Sequence, residues 1–598
     1  MSERKLKTRD EIASSDKWAV GKIYRNTSDW ETDFSHLKTK AESLSDFSGT
    51  LQNADQLLSC FRLMETVNRL AEKLATYAFL RADEDTANPE FIALKSKITD
   101  YSSELMAKEA FFEPEILSYP DGTVEQELKE QPELEMYRFA LANILRQKPH
   151  TLDRKSETML AAVSVCLDGP HQTYTLMTNA DMTFPAIHGE DGKPAELTES
   201  NYHHFLMSPN REVRREAFTT LFSTYGKYRN TFASLLMTSV KNFVFESRQR
   251  HYSSSLECSL APNHIPVSVY KTALQTIHTH LDSLHRYVNL KKKLLKLNDI
   301  HMYDLYVPVI DVPESHYSFD EAVKIVKEGL APLGKEYLDL FSKGIESGWV
   351  DRYPNKGKRS GGYSAGCYDT QPYILLNYNG DYDGVSTLAH EMGHSIHTYY
   401  STKTQPYIYS DYSLFCAETA STTNESLLIH HLIDKETDRD RKLYLINSQL
   451  EQIRTTVFRQ LLFAEFELFT HEKTESGVQL TAKDLCSFWH DINIQYYGPE
   501  MTVDPENDME WARIPHFYRD FYVYQYATGY AAANSFSRMI LSGGENAVEK
   551  YKGFLKSGSS DYPIDILRKA GVDMETEKPM EEVIHTFDGL LDMLESAI

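Results

Sequence analysis

Residues 388–400 read LAHEMGHSIHTYY. On an α-helix, side chains four residues apart share a face. His390 and His394 can therefore reach one metal ion together, with Glu391 beside the first of them. Zinc suits such a pair, because it takes imidazole and carboxylate ligands in a tetrahedron and, in a catalytic site, keeps one position open for water. Zinc lowers the pKa of that water to about 7. A carboxylate at Glu391 can take the proton as the water attacks a peptide carbonyl, and pass it to the leaving amine.

A third protein ligand is required. Downstream, SLFCAETASTTNESLL sets Glu418, Thr422 and Glu425 four and then three residues apart, on one face of a second helix. Glu418 is the expected ligand. Glu425 is expected behind the ligands, where a carboxylate orients an imidazole. His397 shares the face of His390 and His394; it is expected to support the site, since a fourth protein ligand would close the open position. One zinc ion per chain is the expectation. A tetrahedral oxyanion also needs donors, and the segment IPHFYRDFYVYQYATGYAAA offers His516 and a series of tyrosines. Tyr522, Tyr526 and Tyr530 recur every four residues and can line one helical face. The same spacing also describes an aromatic core stripe.

These residues need a frame. Leu388, Met392, Ile396 and Tyr399 form an apolar stripe opposite the histidines, and Asp383 is the expected N-cap of the metal helix. PYILLNYNG, from Pro372 to Gly380, reads as a short strand ahead of it. Extended peptide can add to an exposed strand edge, and that role is expected near Leu375 to Tyr378. The glycine-rich, basic stretch from Pro354 to Gly366 reads as a mobile, exposed loop that can fold over substrate.

Helical periodicity dominates elsewhere. One stripe runs through Leu57, Cys60, Met64, Val67, Ala71, Leu74 and Ala78. Another runs from Leu443 through Ile446, Leu450, Ile453, Val457, Leu461 and Ala464 to Leu468. A third comprises Tyr270, Leu274, Ile277, Leu281, Leu284 and Tyr287. The pattern predicts a mainly α protein with packed helical layers. The turn residues at 119–123 and 189–196 suggest an N-terminal helical region over 1–200, with a sub-boundary near 120, and a catalytic domain over 201–598.

The net charge of −24 argues against nucleic acid, whose phosphates need a basic surface. No apolar run is long enough for a bilayer, and the polar N-terminus lacks the apolar core of a secretory signal, so a cytoplasmic location is expected. The six cysteines are scattered without a C-x-x-C pair, which suggests neither a disulfide framework nor a zinc ribbon.

HEMGHSIH, FCAETASTTNE and IPHFYRDFYVYQYATGY together resemble the oligoendopeptidase F branch of the thimet-oligopeptidase-like family. PYILLNYNG and KGKRSGGYSAG are similar to that branch as well. The resemblance implies two helical lobes enclosing a deep substrate channel, with a small β-sheet beside the zinc-binding helix. It implies a cytoplasmic zinc endopeptidase that admits short unstructured oligopeptides. By motif position His390, His394 and Glu418 are the implied zinc ligands, Glu391 the implied base, and His516 and Tyr530 the implied donors. A second donor tyrosine lies between those two in the mammalian-type relatives, and here the spacing departs by about one residue. Tyr522 is expected in that role, for the face it shares with Tyr526 and Tyr530, with Tyr524 as the alternative. Two other readings stay open: an exopeptidase using the same chemistry, and a non-catalytic peptide-binding protein with a structural metal.

Overall fold

In the computed structural model of the protein, which describes residues 6–310, 316–544 and 546–597, the stripe from Leu57 to Ala78 lies on one continuous helix, Ala54–Glu84 (α1). Asn53 starts it, its side chain accepting from the N–H groups of Asp55 and Gln56. Leu57, Cys60, Val67, Leu74 and Ala78 are buried. A shorter helix, Thr123–Glu130 (α2), carries an acid on its buried face. Glu127 is buried, and neither carboxylate oxygen has a hydrogen-bond partner among the described residues. Burial, helped by Glu130, pushes its pKa from 4.5 up to about 7. A raised acid favours the folded state below the unfolded value and loses that contribution as pH climbs through the folded one. Glu127→Gln is therefore expected to be more stable than the parent at pH 8, by about 1–3 kcal/mol. The two should be nearly equal near pH 4.5. Urea unfolding at both pH values measures the difference.

Three short strands stand ahead of the metal helix: Val350–Asp351 (β1), Tyr363–Ala365 (β2) and Tyr373–Leu375 (β3). Their order is β1-β3-β2, with β3 parallel to β1 and antiparallel to β2. The strand expected over Pro372–Gly380 is thus the middle one. Ile374 N–H donates to Trp349 C=O at 2.8 Å, Leu376 N–H to Asp351 C=O at 2.8 Å and Tyr378 N–H to Arg352 C=O at 2.9 Å. That main chain is already paired, so peptide addition at Leu375 to Tyr378 does not hold. The edge strands are β1 and β2, and β2 lies inside the glycine-rich stretch.

That stretch is also pinned, contrary to the expectation of a mobile loop. The Lys358 side chain is buried, with Nζ 2.7 Å from the Asp351 carboxylate. It also donates to the carbonyls of Tyr353 (2.8 Å) and Leu376 (2.6 Å). Arg9 also donates to both oxygens of Asp351, at 2.8 Å to Oδ1 and 2.5 Å to Oδ2. A buried ammonium is tolerated only when its donors are satisfied, and the carbonyls that satisfy this one fix the loop's path.

The metal helix spans Tyr382–Thr404 (α3). Its N-cap is Asp381, which accepts from Gly384 N–H at 2.8 Å; Asp383, the expected cap, lies two residues on, in the first turn. The following helix is Leu414–Lys435 (α4). The stripe from Leu443 to Leu468 is carried by Arg439–Ile453 and Arg459–Glu475 (α5), joined through a π-helical turn at Arg454–Phe458. The stripe from Tyr270 to Tyr287 is split by a break at His280 into Val267–Thr279 and Leu281–Leu294. A last helix used below is Tyr524–Leu541 (α6).

The protein is mainly α, with only small sheets. It divides into two compact units, each assembled from separated stretches. One comprises Met1–Pro149, Glu314–His431 and Phe536–Gly571, the other His150–Pro313, Leu432–Ser535 and Val572–Ile598. No helix among the described residues is long and apolar enough to cross a membrane.

Candidate metal centre

The centre starts from how closely α3 and α4 approach. A Cβ built on Gly393 would stand 2.7 Å from the Cα of Ser421 and 3.0 Å from the carbonyl oxygen of Ala420. Both are backbone atoms, so no side chain can swing aside. Asn424, buried on α4, donates to the carbonyl of Ala389 at 3.0 Å and accepts from Tyr337 Oη at 2.9 Å. Leu388, Met392 and Ile396 are wholly buried behind the histidines. Gly393→Ala is expected to cost about 1–3 kcal/mol through this clash, read as a lowered thermal midpoint of the metal-loaded protein.

The approach brings three ligand atoms together. His390 Nε2 and His394 Nε2 are 3.2 Å apart. Glu418 Oε2 lies 3.6 Å from the first and 3.8 Å from the second. Among the described residues these three side chains form the single group able to share an ion. Tetrahedral zinc with bonds of about 2.0–2.1 Å spaces its ligand atoms about 3.3 Å apart. The observed triangle therefore fits one face of such a tetrahedron. Two imidazoles and one carboxylate suit zinc rather than calcium or magnesium, which prefer all-oxygen shells.

The remote ring nitrogens are engaged too. His390 Nδ1 is 3.4 Å from Glu425 Oε2, and His394 hydrogen-bonds the backbone of Ala417. Each contact turns Nε2 toward the shared point. Burial pulls His390 down, but Glu425, with the charges of Glu391 and Glu418, raises it to about 9. Burial and the neighbouring His390 lower His394 to about 3. His397 lies outside the ligand group. It is buried, stacks on Tyr412 with ring centroids 3.7 Å apart, and burial lowers it to about 3.

Glu391 is buried at 7% exposure, and its Oε2 has no hydrogen-bond partner among the described residues. Burial raises it to about 7, against the opposing charge of His390, and the backbone N–H of Ser364 holds the carboxylate. Ser364 belongs to edge strand β2. Its partner Ile374 donates toward β1, so the pair is not hydrogen-bonded and Ser364 turns its N–H and C=O outward. Ser364 Oγ also meets Ser395 Oγ of α3 at 2.8 Å. Cavities of about 810 and 410 Å³ share Ala365 and Gly366 in their walls, next to this strand.

The donor candidates lie in the other unit. His516 sits in the turn Pro515–Tyr518, ahead of α6. Tyr526 Oη is 3.5 Å from His516 Nε2. Tyr522 is stacked beside His516 at 5.9 Å and meets Tyr526 edge-on at 5.5 Å. Since α6 begins at Tyr524, Tyr522 precedes the helix and does not share its face with Tyr526 and Tyr530. Tyr524 is buried against Tyr270. Tyr530 is buried and accepts from Gln449 Nε2 at 2.6 Å. Sequence reasoning placed Tyr526 in the stripe without giving it a role. The contact with His516 depends on the turn between them, which periodicity does not encode. Gly393, Asn424 and Ser364 were likewise missed, although the glycine between two ligand positions was a visible signal.

Helix-borne histidines, a carboxylate on the next helix and a buried carboxylate beside them, held at one oxygen only, form the arrangement of a single-metal hydrolytic centre. Comparison with known proteins gives the family. Residues 204–586 match the model of peptidase family M3, and residues 115–184 match that of oligopeptidase F. The chain belongs to peptidase family M3 and is a metalloendopeptidase. It is 43% identical to oligopeptidase PepF of Bacillus subtilis (strain 168), over 99% of this chain and 89% of that one. It is 37% identical to an oligoendopeptidase F homolog of Lactococcus lactis subsp. lactis (strain IL1403), over 99% of both. The solved structure of oligoendopeptidase-F from Enterococcus faecium aligns with a TM-score of 0.73 at 36% identity, covering 96% of this chain and 99% of that one.

Proposed function

We propose that this protein hydrolyses internal bonds of short, unfolded oligopeptides at one zinc ion held by His390, His394 and Glu418. The observation that carries the reading is the ligand triangle with, beside it, the Glu391 carboxylate oxygen that has no hydrogen-bond partner among the described residues. When bound there, zinc supplies Lewis acidity to a carbonyl and brings the pKa of water in its shell to about 7. Glu391 takes the proton of the attacking water and delivers it to the leaving amine. Ser364 N–H holds one oxygen of Glu391 and leaves the other for that transfer. Glu425 keeps the His390 ring turned and electron-rich.

His516, Tyr526 and Tyr530 are the proposed donors to the tetrahedral intermediate. Tyr526, in contact with His516, joins the expected Tyr522, whose ring packs against both, as a candidate for the second donor tyrosine. A cytoplasmic location belongs to the same reading.

The substrate main chain is proposed to pair with the outer edge of β2 through the Ser364 carbonyl, since its N–H is engaged by Glu391; such pairing recognises backbone and tolerates many side chains. A peptide N-methylated at the residue that pairs with Ser364 loses a donor or clashes there. Its kcat/KM is expected to fall about tenfold or more, the worth of one to two hydrogen bonds. An unchanged kcat/KM for every methylated position would rule out the pairing.

Incubation with peptides of graded length, with and without chelator, tests the function by mass spectrometry of the products. Internal cuts that vanish with chelator and return with zinc are expected. Stepwise loss of terminal residues would favour an exopeptidase. No cleavage of any peptide by the metal-loaded protein would favour a binding protein.

A further inference from the structure

Beneath the donor turn, on α5, is a buried polar cluster that none of the steps above uses. Phe521 has φ +57°, a left-handed conformation that is a genuine outlier for a bulky residue. Holding such a residue there costs about 1–2 kcal/mol. The strain falls between His516 and Tyr526, at the point where the chain reverses into α6.

Two contacts hold it. The Phe521 N–H donates to Glu467 Oε1 at 2.7 Å, and both residues are buried. The Phe521 ring packs on His471, one turn further along α5, with centroids 4.5 Å apart, and edge-on to Tyr270 at 5.7 Å. His471 Nε2 lies 3.5 Å from Asp520 Oδ1, and Ser259 Oγ donates to the Asp520 carbonyl at 2.9 Å. Among the described residues no cation pairs with Glu467 and its Oε2 has no hydrogen-bond partner; burial holds it well above the usual carboxylate range. An acid this poorly solvated is a costly way to fill a core. What its position achieves is the capture of the Phe521 N–H in the left-handed turn.

We propose that Glu467 is a positioning residue: by binding the Phe521 N–H it locks the turn that sets Tyr526 against His516. The proposal rests on the reading of His516 and Tyr526 as donors. Glu467 acts through them and touches no substrate. A donor displaced by about 1 Å costs on the order of 10²-fold in rate, so the consequence falls on kcat rather than on metal or substrate binding.

The test uses the full-length zinc-loaded enzyme. Glu467→Gln keeps an acceptor of the same reach and, like the neutral acid, carries no charge; kcat within about threefold of the parent is expected. Glu467→Met removes the acceptor at similar volume, and Glu467→Asp withdraws it by one methylene while the packing stays. Both are expected to lower kcat by about 10²-fold, with KM and zinc content unchanged. If Glu467→Met does not fold, Glu467→Asp carries the measurement. Combined with Tyr526→Phe, Glu467→Asp should cost little beyond Tyr526→Phe alone, because both remove the same donor. Full kcat in Glu467→Asp, or multiplicative losses in the double variant, would overturn the positioning role. Tyr526→Phe and His516→Ala with undiminished kcat would instead overturn the donor assignment beneath it.

Discussion

Glu391→Gln lowers kcat by about 10²–10⁴-fold, the usual worth of a positioned general base, and leaves the metal in place. Glutamine has the shape to accept from Ser364 N–H, so the β2–α3 contact survives. It has no carboxylate oxygen to take a proton. The ligand triangle involves no atom of Glu391, so zinc content by atomic absorption should stay at one ion per chain. Peptides should still bind, with KM close to that of the parent. Activity within tenfold of the parent would mean that another group serves as base.

Glu418→Ala is the opposite kind of loss. It removes one corner of the triangle and leaves two imidazoles 3.2 Å apart. Zinc content and turnover are expected to fall together, with activity at or near background. Metal binding stabilises the folded state by mass action, about 2.7 kcal/mol at a hundredfold excess over Kd. Chelator should therefore lower the thermal midpoint of the parent and of Glu391→Gln, and leave that of Glu418→Ala nearly unmoved. A chelator-sensitive midpoint in Glu418→Ala would show that the ion is held elsewhere. Acidification should release the ion from the parent, since protons compete for both imidazoles and for the carboxylate.

Much of this centre was legible because it is local. His390, Glu391 and His394 lie within five residues, and their face follows from 3.6 residues per turn. Glu418 and Glu425 are one helix away, and their spacing fixes a shared face. The long apolar stripes gave the mainly α class for the same reason. What depended on the path of irregular chain was not legible. The strand over Pro372–Gly380 has the composition of a buried strand, and that composition says nothing about which neighbour lies outside it. The stretch from Pro354 to Gly366 is rich in glycine and lysine, yet the Lys358 side chain is buried on Asp351 and three residues of the stretch form one edge of the sheet. Tyr522 matches the helical period, but the left-handed turn at Phe521 delays α6 to Tyr524. The break at His280 was likewise silent, since the apolar pattern continues through it.

The missing side chain at Gly393 has a consequence for ion choice. With no Cβ at Gly393, the backbones of α3 and α4 approach closely enough for Glu418 on α4 to meet His390 and His394 on α3. Any substituent there is a shim: it parts the ligands and favours ions that take longer bonds. Gly393→Ala should shift preference away from zinc toward larger divalent ions such as manganese, with all three ligands unchanged.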